Sequence, residues 1–215
     1  MGKFVVFEGV DGCGKTTAVT EFHRLLNSRG THSIRTREPG GSPMAEKLRS
    51  FVFENQMDAL TEAYLMFAAR HDHWQQVIDP HLMREVNVIS DRFIGSTLVY
   101  QCRDKGLPDK VFRDLLAHFM LKVPHQRPPV FIQFVLDVDY ETATARMNAR
   151  AEAKNRLDFK TEESFNARRL AYVELAQPGV SSWASKTFLI NAAGTEKQVM
   201  NQIIDHWNEE LENED

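Results

Sequence analysis

The sequence predicts an α/β fold: a doubly wound, parallel five-stranded sheet with helices on both faces. Three observations predict it. Short apolar runs alternate with longer segments of helical period, the pattern of successive βαβ units. A glycine-rich phosphate-binding motif sits between the first run and the first helix. At 215 residues and 24.7 kDa the chain has the length for one such domain with a sizeable core.

The first run, residues 4–7, is apolar throughout, as expected of a parallel strand buried on both faces. Beyond the glycine-rich turn, Val19, Phe22, Leu25 and Leu26 give the next segment an apolar helical face, and Gly30 is its stop. Residues 33–36 are predicted as a second strand, and 44–53 and 61–82 as helices. Residues 86–90 form the third strand, ending at Asp91 and Arg92. Helical period resumes over 95–103 and 110–121, and a proline-rich connector covers 124–129. Residues 130–136 carry the strongest strand pattern, with Asp137 at the carboxyl end. A helix over 141–150 leads into the polar stretch 151–160; a helix over 161–176, a strand over 187–190 and a helix over 197–211 follow. With no internal repeat or low-complexity linker, residues 1–215 read as one domain with a mobile flap at about 147–160.

Composition narrows the function. A chain that is 42% hydrophobic and 26% charged is not disordered throughout. A formal charge of -4 and a pI near 6.1 disfavour broad binding to nucleic acid or anionic membrane. The charge is lopsided: five acids fall in residues 209–215, and without them -4 becomes +1, which leaves room for local basic clusters around a phosphate ligand. Cys13 and Cys102 belong to no CxxC pair, so neither zinc nor a disulfide framework is expected and a reducing cytoplasm fits. The N-terminus runs straight into the first strand without a separate signal segment, and no stretch approaches the roughly 18 apolar residues of a membrane span. His71, His73 and His81 are spaced like a metal cluster, but no HExxH motif accompanies them.

Residues 9–16 match G-x-x-x-x-G-K-[ST]. Glycines let backbone N–H groups turn toward phosphate oxygens, and the helix starting near Lys15 adds its positive end. Lys15 reaches the β- and γ-phosphates of such a ligand, and Thr16 offers an oxygen to Mg²⁺. The nucleotide-binding set is therefore Gly9, Gly12, Cys13, Gly14, Lys15, Thr16 and Thr17. The position of Cys13 before a helix N-terminus favours its thiolate and predicts alkylation that ATP would block. A GTPase would add an N-K-x-D motif, which is absent, and large mechanical ATPases have longer chains.

The remaining motifs carry a specific resemblance. Phe7-Glu8-Gly9-Val10-Asp11-Gly12, Thr36-Arg37-Glu38-Pro39-Gly40-Gly41, Ser90-Asp91-Arg92-Phe93, Asn155-Arg156-Leu157-Asp158 and Tyr172-Val173-Glu174-Leu175-Ala176 occur in order. Together, over about residues 3–176, they resemble the thymidylate kinase family. That implies a P-loop kinase moving the γ-phosphoryl of ATP to dTMP, with Mg²⁺. It further implies a homodimer that binds neither nucleic acid nor membrane.

The resemblance also implies roles. Arg37, Glu38 and Pro39 border the monophosphate, Arg49 approaches it and Arg92 clamps it. Asp91 holds Mg²⁺ with Thr16. Asp11 meets the sugar 3′-hydroxyl, and Ser96, Thr97, Tyr100 and Gln101 read the base edge. Phe67 stacks on thymine with Arg70 at its polar edge, but their three-residue spacing, against the usual four, leaves Met66 and His71 as rivals. Arg146 stacks on adenine. Two departures stand out: Gly95 replaces a common aspartate, and residues 102–105 replace a glycine-rich run. The family places its catalytic cation either in the P-loop or in the flap. Gly12 occupies the P-loop position, so the flap supplies it, with Arg156 first, Arg150 second and Lys154 nearby. Two other functions stay open: a kinase for another deoxynucleoside monophosphate such as dUMP, and a nucleotide-binding module without turnover.

Overall fold

The computed structural model describes residues 2–121, 123, 130–150 and 159–213. The expectations placed on Lys154, Arg156 and the Arg150 side chain lie outside what is described, as does the 124–129 connector.

Five strands form one parallel sheet: β1 Phe4–Gly9, β2 Ser33–Arg37, β3 Asn87–Asp91, β4 Val130–Asp137 and β5 Ala184–Asn191. Their order is β2-β3-β1-β4-β5, the doubly wound arrangement expected. The chain reverses its direction of winding at β1, so the crevice at the carboxyl edge of the central strands is where such sheets bind ligands. Phe7 pairs with Asp91 and Arg37 with Asp91, which brings three candidate segments to one level along that edge.

Both faces are covered because side chains alternate along β1. Phe4 points to one face, packing edge-on against Phe93 at 4.9 Å and Trp74 at 5.9 Å. Phe7 points to the other, beside Phe22 of α1 (Lys15–Ser28), whose ring meets Trp207 of the C-terminal helix at 5.4 Å.

The helices follow their caps. α2 (Pro43–Glu54) starts on Ser42, whose hydroxyl accepts from the Ala45 N–H, with proline at the first helical position. α3 (Ala59–His73) starts on Asp58. The expected helix 61–82 is divided: Trp74–Ile78 is π-helical and α4 (Asp79–Met83) follows, with Pro80 at its start, where a missing N–H disturbs the ladder. The helix expected over 95–103 likewise begins as α5 (Ile94–Thr97) and continues as a π-helix, Leu98–Asp104. α6 (Asp109–Met120), α7 (Tyr140–Arg150), α8 (Glu162–Glu174) and α9 (Glu196–Glu212) fall within two residues of expectation at their starts and ends. β5 is longer than expected because, as an edge strand with one exposed side, it admits Ser185 and Lys186. No helix among the described residues is long and apolar enough to cross a membrane.

Candidate active site

The glycine-rich loop joins β1 to α1 at the carboxyl edge. Gly14 adopts the left-handed conformation that starts α1. Gly12 has φ +83, and a Cβ built there would lie 2.5 Å from the Ala143 carbonyl oxygen of α7. No side chain fits at 12, so a P-loop arginine is sterically excluded. The Lys15 ammonium donates to the carbonyls of Gly9 at 2.9 Å and Val10 at 2.8 Å. The Thr16 hydroxyl donates to Asp91 Oδ2 at 2.8 Å, pairing two hard oxygen donors beside the loop. Arg146 of α7 reaches back to the carbonyls of Ala192 at 2.9 Å and Gly194 at 3.1 Å, and it borders Gly14. Cys13 corrects its expectation. Its thiol is buried in the core rather than presented to solvent, and burial pushes its pKa up despite Lys15.

Beside the loop opens a cavity. Ten residues expected to bind the acceptor line it: Asp11, Glu38, Pro39, Arg49, Arg70, Arg92, Ser96, Thr97, Tyr100 and Gln101. Phe53, Met66 and Phe93 line it as well. Arg37 does not; it is exposed and pairs with Glu46 at 3.1 Å. Nor does Phe67, whose ring packs against Phe112 and Phe119 in the core. Met66, its rival one residue earlier and four before Arg70, is on the wall instead, as is Phe53 of α2.

Arg92 occupies the centre. It is a non-glycine residue at φ +74, an unfavourable backbone conformation held by its N–H on the Phe7 carbonyl at 2.8 Å and by Ser90 on its own carbonyl. Its guanidinium donates to the Gly9 carbonyl, to Ser96, to the Tyr172 hydroxyl of α8 and to Asp11, the last at 2.5 Å. Burial pushes the Asp11 carboxyl up, but the charges of Arg92 and Lys15 and a hydrogen bond from Tyr100 outweigh it and bring it down to about 2. Arg49 donates to the Pro39 carbonyl at 2.7 Å; burial and the like charge of Arg37 lower its pKa, the signature of cations short of an anion.

One buried acid, Glu8, went unrecognised as a site residue in the sequence, and the partners of a second, Glu38, were not foreseen. Glu8, at the end of β1, accepts from the N–H groups of Phe93 and Ser96 and from the Ser96 hydroxyl, and burial raises its pKa. An acid closing an apolar run was the available signal. It also bears on Gly95: a Cβ there would lie 2.7 Å from Leu175 Cδ1 and 2.9 Å from Glu8 Oε1, so the position is closed to a side chain. Glu38 does not simply border the cavity; it anchors Arg70, accepting from Nε at 2.7 Å, while His73 sits on its other oxygen at 3.0 Å. Arg70 Nη2 donates to the Phe93 carbonyl and to Thr97, and Nη1 is a buried donor with no partner among the described residues. The histidines form no metal site: among the described residues no group of three His, Cys, Asp or Glu could hold one.

A parallel sheet in this order, a glycine-rich loop opening at its carboxyl edge and a cation-lined cavity beside it define a P-loop kinase. The comparisons narrow the class. The sequence profile of the family described as thymidylate kinase matches residues 7–203. A thymidylate kinase of Paraburkholderia xenovorans is 36% identical over 206 residues, covering 94% of this chain and 95% of that one. One from Mycoplasma pneumoniae is 39% identical over 178 residues, 81% and 82% of the two chains. One from Methylobacillus flagellatus is 36% identical over 176 residues, 82% and 84%. The chain belongs to the thymidylate kinase family and is a kinase enzyme with nucleotide substrates.

Proposed function

We propose that the chain transfers the γ-phosphoryl of ATP to dTMP, giving dTDP and ADP. An oxygen of the acceptor phosphate forms the new bond to Pγ, and the bond to the β–γ bridging oxygen breaks. No general base is required, because the acceptor phosphate is already an anion near pH 7. Catalysis is then positioning and charge stabilisation. Lys15 and the loop N–H groups of Gly9 to Thr17 hold the ATP phosphates, and Arg146 lies toward the adenine. Arg49 and Arg92 take the acceptor phosphate, with Asp11 oriented by Arg92 and Tyr100 toward the sugar. Thr16 and Asp91 fit Mg²⁺, being hard oxygen donors already in mutual contact. Mg²⁺ would neutralise charge on the transferring phosphates. With Gly12 closed to side chains, the flap at about 147–160 supplies the bridging cation, Arg156 ahead of Arg150.

The observation that carries the choice of base is the pair Arg70 and Gln101. One cavity residue presents a partnerless buried donor, and the other commits its Nε2 to Glu62 at 2.7 Å, which leaves Oε1 as an acceptor. Donor and acceptor together match O4 and N3–H of thymine and mismatch N4–H₂ and N3 of cytosine. A site that hydrogen-bonds one edge rejects the other strongly. Uracil presents the same edge, so dUMP is the second reading. The family resemblance supports a homodimer, and the exposed Met44 and Phe51 of α2 with Leu60 and Tyr64 of α3 offer it an apolar face. One kinase domain in the cytoplasm, with two buried free cysteines, completes the reading. A coupled ADP-release assay across dTMP, dUMP, dCMP, dGMP and dAMP tests it. Preference for dTMP is expected; equal kcat/KM for dTMP and dCMP overturns it, and no ADP release with any acceptor makes the chain a binding module.

A further inference from the structure

Resting on that reading of the cavity, we propose that Glu62 is a positioning residue that sets base specificity from behind the pocket. A glutamine amide reads a base edge in either of two senses, because its oxygen and nitrogen ends are nearly the same shape and exchange by a half-turn. Specificity for a thymine-type edge therefore needs something that forbids the half-turn. Glu62 does so. It is fully buried on α3 and takes Gln101 Nε2 on Oε1 at 2.7 Å and the Lys105 ammonium on Oε2 at 2.7 Å. An ionised carboxylate accepts and cannot donate, so turning the amide would set Gln101 Oε1 against Glu62 Oε1, two acceptors at hydrogen-bond distance in a buried place. Lys105 supplies the counter-charge that lets the carboxylate stay buried.

Lys105 comes from the stretch 102–105, which departs from the glycine-rich run common in the family. The Leu98–Asp104 π-helix delivers Gln101, and its C-cap Lys105 follows, to opposite oxygens of one acid. Glu62 itself is absent from the cavity wall, so its influence on the acceptor passes through Gln101.

The test is Glu62→Gln, which keeps the shape and can both donate and accept, so both amide orientations become tolerable. Steady-state kcat/KM for dTMP and dCMP, with KM for ATP as control, gives the readout. The dTMP-to-dCMP preference should fall roughly tenfold or more, the worth of one mispaired buried polar group, while KM for ATP is unchanged. Gln101→Leu should lose the same preference, and combining the two should lose no more. A purely structural Glu62 would lower both acceptors by one factor and add to Gln101→Leu, and either result overturns the proposal. If Glu62→Gln does not fold, as judged by circular dichroism, Lys105→Met at its half-buried site carries the test. A reduced preference is expected, and an unchanged one refutes it. Absence of dTMP turnover in the unaltered chain would overturn the functional reading first, and this proposal with it.

Discussion

Removing the Glu38 carboxylate tests how the cavity is built. Glu38 is 4% exposed and Arg70 3%, and their contact is the ion pair at 2.7 Å. Glu38→Ala leaves a guanidinium buried with its counter-charge gone and strips His73 of its partner at 3.0 Å. Breaking one side of such a pair costs about 3–5 kcal/mol. For a chain of this length, roughly 2–4 °C of Tm follows each kcal/mol, so Tm should fall by roughly 6–20 °C. The same change releases Arg70 from its anchor, and KM for dTMP should rise at least about tenfold, the value of a charge-assisted hydrogen bond, with KM for ATP unaltered. Thermal melts and steady-state kinetics on one preparation read both. Glu38→Met/Arg70→Met removes both charges at similar volume, so it should regain part of the lost Tm while dTMP recognition stays lost. A single variant melting within about 2 °C of the parent, or a double no more stable than the single, refutes the reasoning.

Other substitutions probe other parts of the site. Phe67→Ala should cost roughly 3–5 kcal/mol of stability as a core cavity, and the folded enzyme should keep its KM for dTMP. Met66→Ala should raise that KM; the opposite pattern in denaturation and kinetics would return base stacking to Phe67. The Asp11 carboxyl titrates at about 2 in the folded chain against an ordinary 3.8. It therefore contributes up to about 2 kcal/mol above pH 4, lost as pH falls from about 4 toward 2. Urea denaturation should show Asp11→Asn weaker by that amount at pH 7, with the gap closing on acidification; a gap independent of pH excludes the Arg92 and Lys15 contribution. Arg156→Ala should lower kcat by roughly 10³ to 10⁵ with dTMP binding little changed, and Arg150→Ala should be milder. A near-normal kcat in Arg156→Ala moves the role to Arg150.

What was legible in the sequence was local. The glycine-rich loop is read from contiguous residues, and the strand that precedes it and the helix that follows are where the motif demands them. The sheet order follows from alternating elements. The rotational phase of α3 was not legible: successive residues differ by about 100° around a helix, so choosing Phe67 over Met66 needs knowledge of which side packs on Phe112 and Phe119. Nor were the partners of the buried acids. Glu38 meets Arg70 across 32 positions, Glu62 meets Gln101 across 39 and Glu8 meets Ser96 across 88. Each looks in sequence like an ordinary surface charge, and only the fold supplies the partner that makes burial tolerable. Cys13 failed for the same reason. A helix N-terminus favours a thiolate, but the direction of the side chain is set by packing, and it points inward.

The two helices on either side of residues 151–158 are fastened to the sites proposed for different substrates. On one side α7 leans on the ATP loop: the backbone of Ala143 closes the space over Gly12, and Arg146 donates to carbonyls beside Gly14. On the other side α8 leans on the acceptor cavity. Its Tyr172 meets Arg92 and Ser96, and its Arg168 stacks at 5.0 Å over Tyr100. The described helices on either side are thus held by the glycine-rich loop and by the cavity wall. On the proposed function, a cation carried between them would be anchored from both sides, which a P-loop cation would not be. The close approach of Ala143 of α7 is what excludes a side chain at Gly12. On the proposed function, closing the P-loop to arginine and leaving the transferring charge to the flap follow from one packing choice.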